Sequence, residues 1–277
     1  MSSSKIMLIT GVSSGFGRAL AEAALAADYA VVGTVRNAAA QRDFEALHPT
    51  RAFARMLDVT HFDDIEGVIA DIESAVGEID VLVNNAGYGH EGIMEESSIA
   101  EMRQQFDVNV FGAVAMMKGV LPYMRGRRRG RILNITSMGG FITMPGIAYY
   151  CGSKFALEGI SEVVGKEVQP FGIHVTAIEP GSFRTDWAGR SMVRTPRTIA
   201  DYDAQFDPIR EAREAKSGKQ LGDPAKAALA MLTILASENP PARILLGTDA
   251  LGLVRRKLQA MEKEIDAWES LTRSTDG

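Results

Sequence analysis

The run KIMLIT (Lys5–Thr10) passes directly into TGVSSGFG (Thr10–Gly17) and then into RALAEAALAA (Arg18–Ala27). The first piece is a short apolar run with the composition of a buried strand, and the last repeats its apolar residues at helical spacing. Between them stand glycines 11, 15 and 17. Small residues let a backbone approach a pyrophosphate, and the N-terminus of the following helix favours its charge. The spacing is Gly-x-x-x-Gly-x-Gly, which departs from the Gly-x-Gly-x-x-Gly dinucleotide fingerprint. Taken alone, the loop also reads as a tight turn with no ligand.

The same alternation continues outward. AVVGTV, RAFARML, IDVLVNN, GRILNIT, GIHVTAIEP and ARILLG follow as further candidate strands. Stretches of helical periodicity separate them, among them 18–27, 61–76, 102–124 and 155–169. Seven strands joined by crossover helices predict an α/β fold: a doubly wound, Rossmann-type, seven-stranded parallel sheet with helices on both faces. No linker-like composition divides the first 180 residues and no internal repeat is evident, so residues 1–277 read as one domain. Two segments depart from the alternation. The polar stretch 184–222 follows a strand's C-terminal end, where open α/β sheets bind ligands, and is a candidate substrate lid. The end of the chain, 251–271, reads as a helical extension.

The 277 residues, 46% hydrophobic and 23% charged, suffice for a large buried core. A net charge of −5 gives no broad footprint for nucleic acid. One basic run, RGRRRGR (Arg125–Arg131), reads either as a solvated loop between helix and strand or as a patch for an anionic partner. The single Cys151 excludes an internal disulfide and a Cys-based metal site, and no metal site is expected elsewhere. With no export signal and no apolar run of membrane-spanning length, the expected location is the cytoplasm.

The second strand ends VVGTVRN. NAD-binding folds place an acid near this point to accept from the adenosine ribose, whereas an arginine accommodates the extra phosphate of NADP. Here Val35 stands where the acid is expected and Arg36 follows, which points to NADP(H) rather than NAD(H). Farther on, AYYCGSK (Ala148–Lys154) puts Tyr150 and Lys154 four residues apart, on one face of a helix. By itself this is a weak signal.

Read together, these motifs resemble the short-chain dehydrogenase/reductase family over most of the chain. The family's patterns occur in order: TGVSSGFG, then Asp58 and Val59, NNAG at Asn84–Gly87, Asn109 in DVNVFG, Ser137 in NITS, Tyr150 and Lys154, and PGSFRT at Pro180–Thr185. The resemblance implies catalysis by Asn109, Ser137, Tyr150 and Lys154. Tyr150 would be general acid in carbonyl reduction and base in alcohol oxidation, and Lys154 would lower its pKa and hold the nicotinamide ribose. Ser137 would bind the substrate oxygen, and Asn109 would hold a water in a proton relay. The implied cofactor site comprises Gly11, Ser13, Ser14, Gly15, Phe16, Gly17, Arg36, Asp58, Val59, Asn85, Ala86, Gly87, Tyr150, Lys154, Pro180, Gly181, Phe183 and Thr185. Phe183 would pack on the nicotinamide and Thr185 would bond its carboxamide.

The expected reaction interconverts a ketone or aldehyde and an alcohol. A cofactor-sensing protein without turnover and a reductase of carbon–carbon double bonds are the alternatives on the same fold. A looser likeness to the hydroxysteroid and retinol dehydrogenases hints at an apolar substrate. In the tail, Leu251, Val254, Leu258, Met261, Ile265 and Trp268 recur at three and four, predicting an amphipathic helix laid on the body or on a second subunit. A homodimer fits that ending, and the tetramer common in the family does not follow from it.

Overall fold

The structure is a computed structural model describing residues 4–276. The chain begins β1 (Ile6–Ile9), α1 (Gly15–Ala26), β2 (Ala30–Val35), α2 (Ala38–Glu45), β3 (Ala52–Met56), α3 (Phe62–Ala75) and β4 (Ile79–Asn84). A short β5 (Gly89–Glu91) precedes α4 (Ile99–Phe106), a π-helical turn (Asp107–Gly112) and α5 (Ala113–Arg127). Then come β6 (Gly130–Ile135), α6 (Ala148–Val168), β7 (Ile173–Pro180), β8 (Met192–Arg194), α7 (Asp203–Ala215), α8 (Pro224–Ala236), β9 (Arg243–Leu246) and α9 (Thr248–Arg273).

The seven expected strands pair in the order β3-β2-β1-β4-β6-β7-β9, every pair parallel. The order reverses beside β1, so a crevice opens at the strand ends next to the glycine loop. Both faces are covered, which is why the central strands are continuously apolar. Met7 and Ile9 pack with Leu20 and Leu25 of α1 and Met231 of α8. Leu8 points the other way, into a cluster with Ile65 and Ile69 of α3 and Met116 and Val120 of α5. At the first crossing, Gly33 lets Val12 and Phe44 approach so closely that an added Cβ would stand 2.4 Å from Val12.

Three expectations change in detail. The stretch 102–124, read as one crossover helix, is divided into α4, the π turn and α5, because a one-residue bulge turns Asn109 inward. The stretch 184–222 is not merely polar: it holds β8, which pairs with β5, and α7, whose Phe206 is buried against Gly146. The C-terminal helix begins at Thr248 rather than 251, and only its base lies on the body, where Ala250 and Val254 pack with Met138 and Ile142.

The basic run is consumed by its own fold. Arg127 binds Glu73 and the Ile79 carbonyl, Arg128 lies over Phe171 and donates to Pro170, Arg129 pairs with Glu78, and Arg131 donates to Ser237. These bonds staple the α5–β6 connection to its neighbours, and four of the five arginines are engaged. Among the described residues no helix is long and apolar enough to cross a membrane.

Candidate active site

One cleft of about 1570 Å³ runs along the C-terminal ends of the strands. Sites for single drug-sized ligands hold roughly 300–1,000 Å³, so this one has room for a dinucleotide and a second reactant. Gly11, Ser13, Ser14, Gly15 and Phe16 form its floor at the start of α1. Ser14 is the N-cap yet makes no side-chain cap bond, which leaves the first-turn N–H groups to the cleft. Gly11 and Gly15 have φ of +72° and +59°, the left-handed region that glycine enters most readily. Gly17 does not line the cleft. A Cβ there would stand 2.2 Å from the Gly11 carbonyl oxygen, so its role is to let α1 close on the loop. These features fit a pyrophosphate at a helix N-terminus.

Val35, Arg36, Asp58 and Val59 also line the cleft. The Arg36 guanidinium is 77% exposed, and its nearest acid, Asp58, is 3.8 Å away. Burial works against the Asp58 carboxylate, but the Thr60 backbone N–H and hydroxyl both donate to it and hold its pKa below the usual value. Asn85, Ala86 and Gly87 line the middle of the cleft. The Asn85 side chain donates to the carbonyls of Thr10 and Gly11, tying the end of β4 to the glycine loop. Pro180, Gly181, Phe183 and Thr185 form the far wall, with the Phe183 ring set edge-on to Phe16 at 5.1 Å.

Ser137, Tyr150 and Lys154 open together into the cleft. Tyr150 and Lys154 share one face of α6, with Lys154 Nζ 5.8 Å from the phenol ring centroid. The ammonium donates to the Ile135 carbonyl at 2.8 Å. Burial lowers its pKa to about 8, opposed by the nearby Glu158 carboxylate. Burial raises the Tyr150 phenol above its ordinary value, while the Ser137 hydroxyl favours the ionised form. Desolvation is the largest influence on the phenol in this arrangement and disfavours its ionised form. Gly139 keeps the corner tight: a Cβ there would lie 3.3 Å from both Ser137 Oγ and the Tyr150 ring.

Asn109 sits behind this group without lining the cleft. Its side chain accepts from the Tyr88 N–H and donates to the Tyr88 carbonyl and Ser153 Oγ. A Cβ on Gly87 would meet Asn109 Oδ1 at 3.1 Å and Lys154 Nζ at 3.7 Å, so this glycine is where the two polar groups converge. Tyr149 turns away and donates to the Ser97 carbonyl. Cys151 is buried beside Met144, and burial raises its thiol pKa, as suits a packing residue.

Trp187 and Val193, apolar residues of the candidate lid 184–222, line the cleft, and so do Met144, Ile209, Leu221 and Asp249, which the sequence did not mark. Trp187 lies against Tyr150 with centroids 5.0 Å apart. Asp249, at the start of α9, accepts from the Ser182 N–H and fills the space beside Gly181. Met144, Val193, Ile209 and Leu221 add apolar surface to the cleft. No local pattern marks Met144 or Asp249, since they reach the site from separate segments of the chain.

A glycine-floored crevice at the switch point of a parallel sheet, with a buried tyrosine and lysine opening into it, defines a nicotinamide-dinucleotide oxidoreductase of the Rossmann class. Residues 5–193 match the family model described as short chain dehydrogenase, and the chain belongs to that family. It is similar to a crystal structure of a short-chain dehydrogenase from Streptomyces avermitilis, with 42% identity, a TM-score of 0.93 and full coverage of both chains. It is 38% identical over 245 residues to 3-ketodihydrosphingosine reductase of Bacteroides thetaiotaomicron, covering 88% of each chain. A structure of ElxO with NADP bound superposes with a TM-score of 0.72 at 25% identity, over 87% of this chain and 96% of that one. The protein is an NAD(P)-dependent oxidoreductase acting between carbonyl and alcohol groups.

Proposed function

We propose that the protein reduces a ketone or aldehyde with an apolar substituent, using NADPH in preference to NADH, with Tyr150 as the proton donor. The observation that carries this reading is that Ser137, Tyr150 and Lys154 open into one cleft that is also lined by the apolar Met144, Trp187, Val193, Ile209 and Leu221. When bound, NADPH supplies the hydride. Gly11, Ser13, Ser14, Gly15 and Phe16 would hold its pyrophosphate, Arg36 its adenosine phosphate, and Pro180, Gly181, Phe183 and Thr185 its nicotinamide.

Ser137 and Tyr150 hydroxyls donate to the substrate carbonyl oxygen, polarising it and fixing its position. As negative charge grows on that oxygen, the phenol gives up its proton and becomes phenolate, and the product leaves as an alcohol. The Lys154 ammonium stabilises the phenolate electrostatically, and Asn109, held by the Tyr88 backbone, orders the polar path by which a proton returns. A phenol raised by burial stays protonated at neutral pH, which suits the reductive direction. The segment 184–222 acts as a lid: it brings Trp187 onto Tyr150 and carries Ile209 over the substrate space.

The preference for NADPH rests on an exposed Arg36 guanidinium at the adenosine end and on the lack of an acid at position 35. ElxO, which binds NADP, supports it by analogy. The apolar substrate draws the same kind of support from the 3-ketodihydrosphingosine reductase.

The test is Tyr150→Phe against Tyr149→Phe, assayed by NADPH oxidation with a panel of ketones, aldehydes and enones. Tyr150→Phe is expected to keep NADPH binding and lose about 10²–10⁴-fold in turnover, and Tyr149→Phe to stay near wild type. Retention of more than about a tenth of turnover by Tyr150→Phe, or turnover of enones only, would overturn the assignment. Arg36→Ala should raise the KM for NADPH by about tenfold or more and leave that for NADH unchanged. Equal kcat/KM for the two cofactors in the unmodified protein would end the NADP preference.

A further inference from the structure

We infer that α9 is a self-association element: along its exposed face, from Leu251 to Trp268, it pairs antiparallel with the same helix of a second copy. The helix runs 26 residues, about 39 Å at 1.5 Å per residue. Only Ala250 and Val254 are buried, and every described residue from Arg255 to Asp276 is exposed. On this projecting part lie Leu258, Met261, Ile265 and Trp268, which are 50%, 40%, 65% and 61% exposed. With Leu251 and Val254 they form an unbroken three-four repeat, the seam of a helix pair. Little within the protomer supports such a helix. Glu269–Arg273 is the one ion pair along it among the described residues.

The charges beside the seam say what covers it. Arg255, Arg256 and Lys257 cluster near the body, whereas Glu262, Glu264, Asp266 and Glu269 lie toward the tip. Relative to the seam, Arg255, Glu262 and Glu269 flank one side, and Lys257 and Glu264 the other. In an antiparallel pair with Leu258 facing the partner's Met261, Leu251 faces the partner's Trp268. The same register sets Arg255 beside the partner's Glu262 and Lys257 beside the partner's Glu264. The two-fold axis repeats both contacts, giving four attractive pairs and no like-charge contact, and the interface closes on itself. A parallel pair would put Glu264 beside the partner's Glu269. An anionic membrane would repel the acidic outer half of the helix. The pattern therefore fits a second copy of this chain in one orientation.

Light scattering and sedimentation equilibrium of the full chain test this. The expected result is an assembly whose mass falls by half in Leu258→Glu/Ile265→Glu, with NADPH binding unchanged because both positions lie outside the cleft. Arg255→Glu/Lys257→Glu and Glu262→Lys/Glu264→Lys should each associate poorly alone and pair with each other when mixed. Orientation is read by oxidation: Leu251→Cys mixed with Trp268→Cys should cross-link, and Leu251→Cys alone should not. A monomeric wild type, a mass indifferent to the double glutamate change, cross-linking of Leu251→Cys with itself, or flotation of the wild type on phosphatidylcholine–phosphatidylserine vesicles would each overturn the inference.

Discussion

Lys154 has one of the most consequential surroundings in the protein, because a cation essential to the proposed chemistry is buried almost completely. Its pKa of about 8 lies below that of an ordinary lysine, since desolvation disfavours the charged form. The phenol beside it is shifted the opposite way by the same burial, so the two groups titrate far apart. Below pH 8 both are protonated, the state that carbonyl reduction uses. As pH rises through 8 the lysine loses its charge while the phenol keeps its proton. Reductive kcat/KM should therefore be level below pH 8 and fall about tenfold per pH unit above it. A Lys154→Met variant should be slow throughout and lack that inflection. A wild-type profile still level at pH 9.5, or an inflection surviving in Lys154→Met, would reassign the titrating group.

At the scale of elements, α6 and β7 meet through an unusual contact. Glu158 lies one turn beyond Lys154, and Glu179 is on β7; they are 6% and 1% exposed. Among the described residues, three of their four carboxylate oxygens have no hydrogen-bond partner, and Arg243 approaches Glu179 only to 3.9 Å. Desolvation, then the Glu158 charge, raises the Glu179 pKa to about 7. A carboxyl raised from about 4.5 to about 7 on folding contributes stability that is complete below pH 4.5 and is lost as pH rises through 7. The melting temperature of the wild type should accordingly decline between those values. Glu179→Gln, which adds an N–H donor toward Glu158, should flatten the decline and raise the midpoint at pH 8 by roughly 4 °C or more. A midpoint at pH 8 that drops in Glu179→Gln would mean that the ionised pair is stabilising.

At the scale of the whole molecule, the proposed lid contains β8 and α7, and β8 pairs with β5. Glu91 on β5 is buried among Arg194, Arg210 and Arg213, which join the short β5–β8 sheet to α7. Closure of such a segment reduces local opening and slows amide exchange. Exchange over 184–222 should be fast in the free protein, and slow at least about tenfold with NADPH and a ketone product analogue together. Exchange that stays the same with both ligands present would leave 184–222 as a surface excursion. NADPH should also raise the melting temperature more than NADH at equal concentration, since the gain scales with the logarithm of ligand over Kd.

The sequence alone determined the seven strands and most crossover helices, because burial on both faces makes each strand a continuous apolar run and each helix a one-sided stripe. It also determined the glycine loop, through the backbone freedom of Gly11 and Gly15, and the pairing of Tyr150 with Lys154, through helical geometry. Tertiary structure alone decided the π turn that aims Asn109 at Tyr88, the placement of Trp187 over Tyr150, the facing of Glu158 and Glu179, and the pairing of β5 with β8. Each of these depends on partners brought together from separate elements, for which a linear periodicity carries no signal. The tail shows both sides of this division: its three-four repeat was legible as an amphipathic helix, but only the fold revealed that the body covers Val254 and leaves Leu258 through Trp268 without cover.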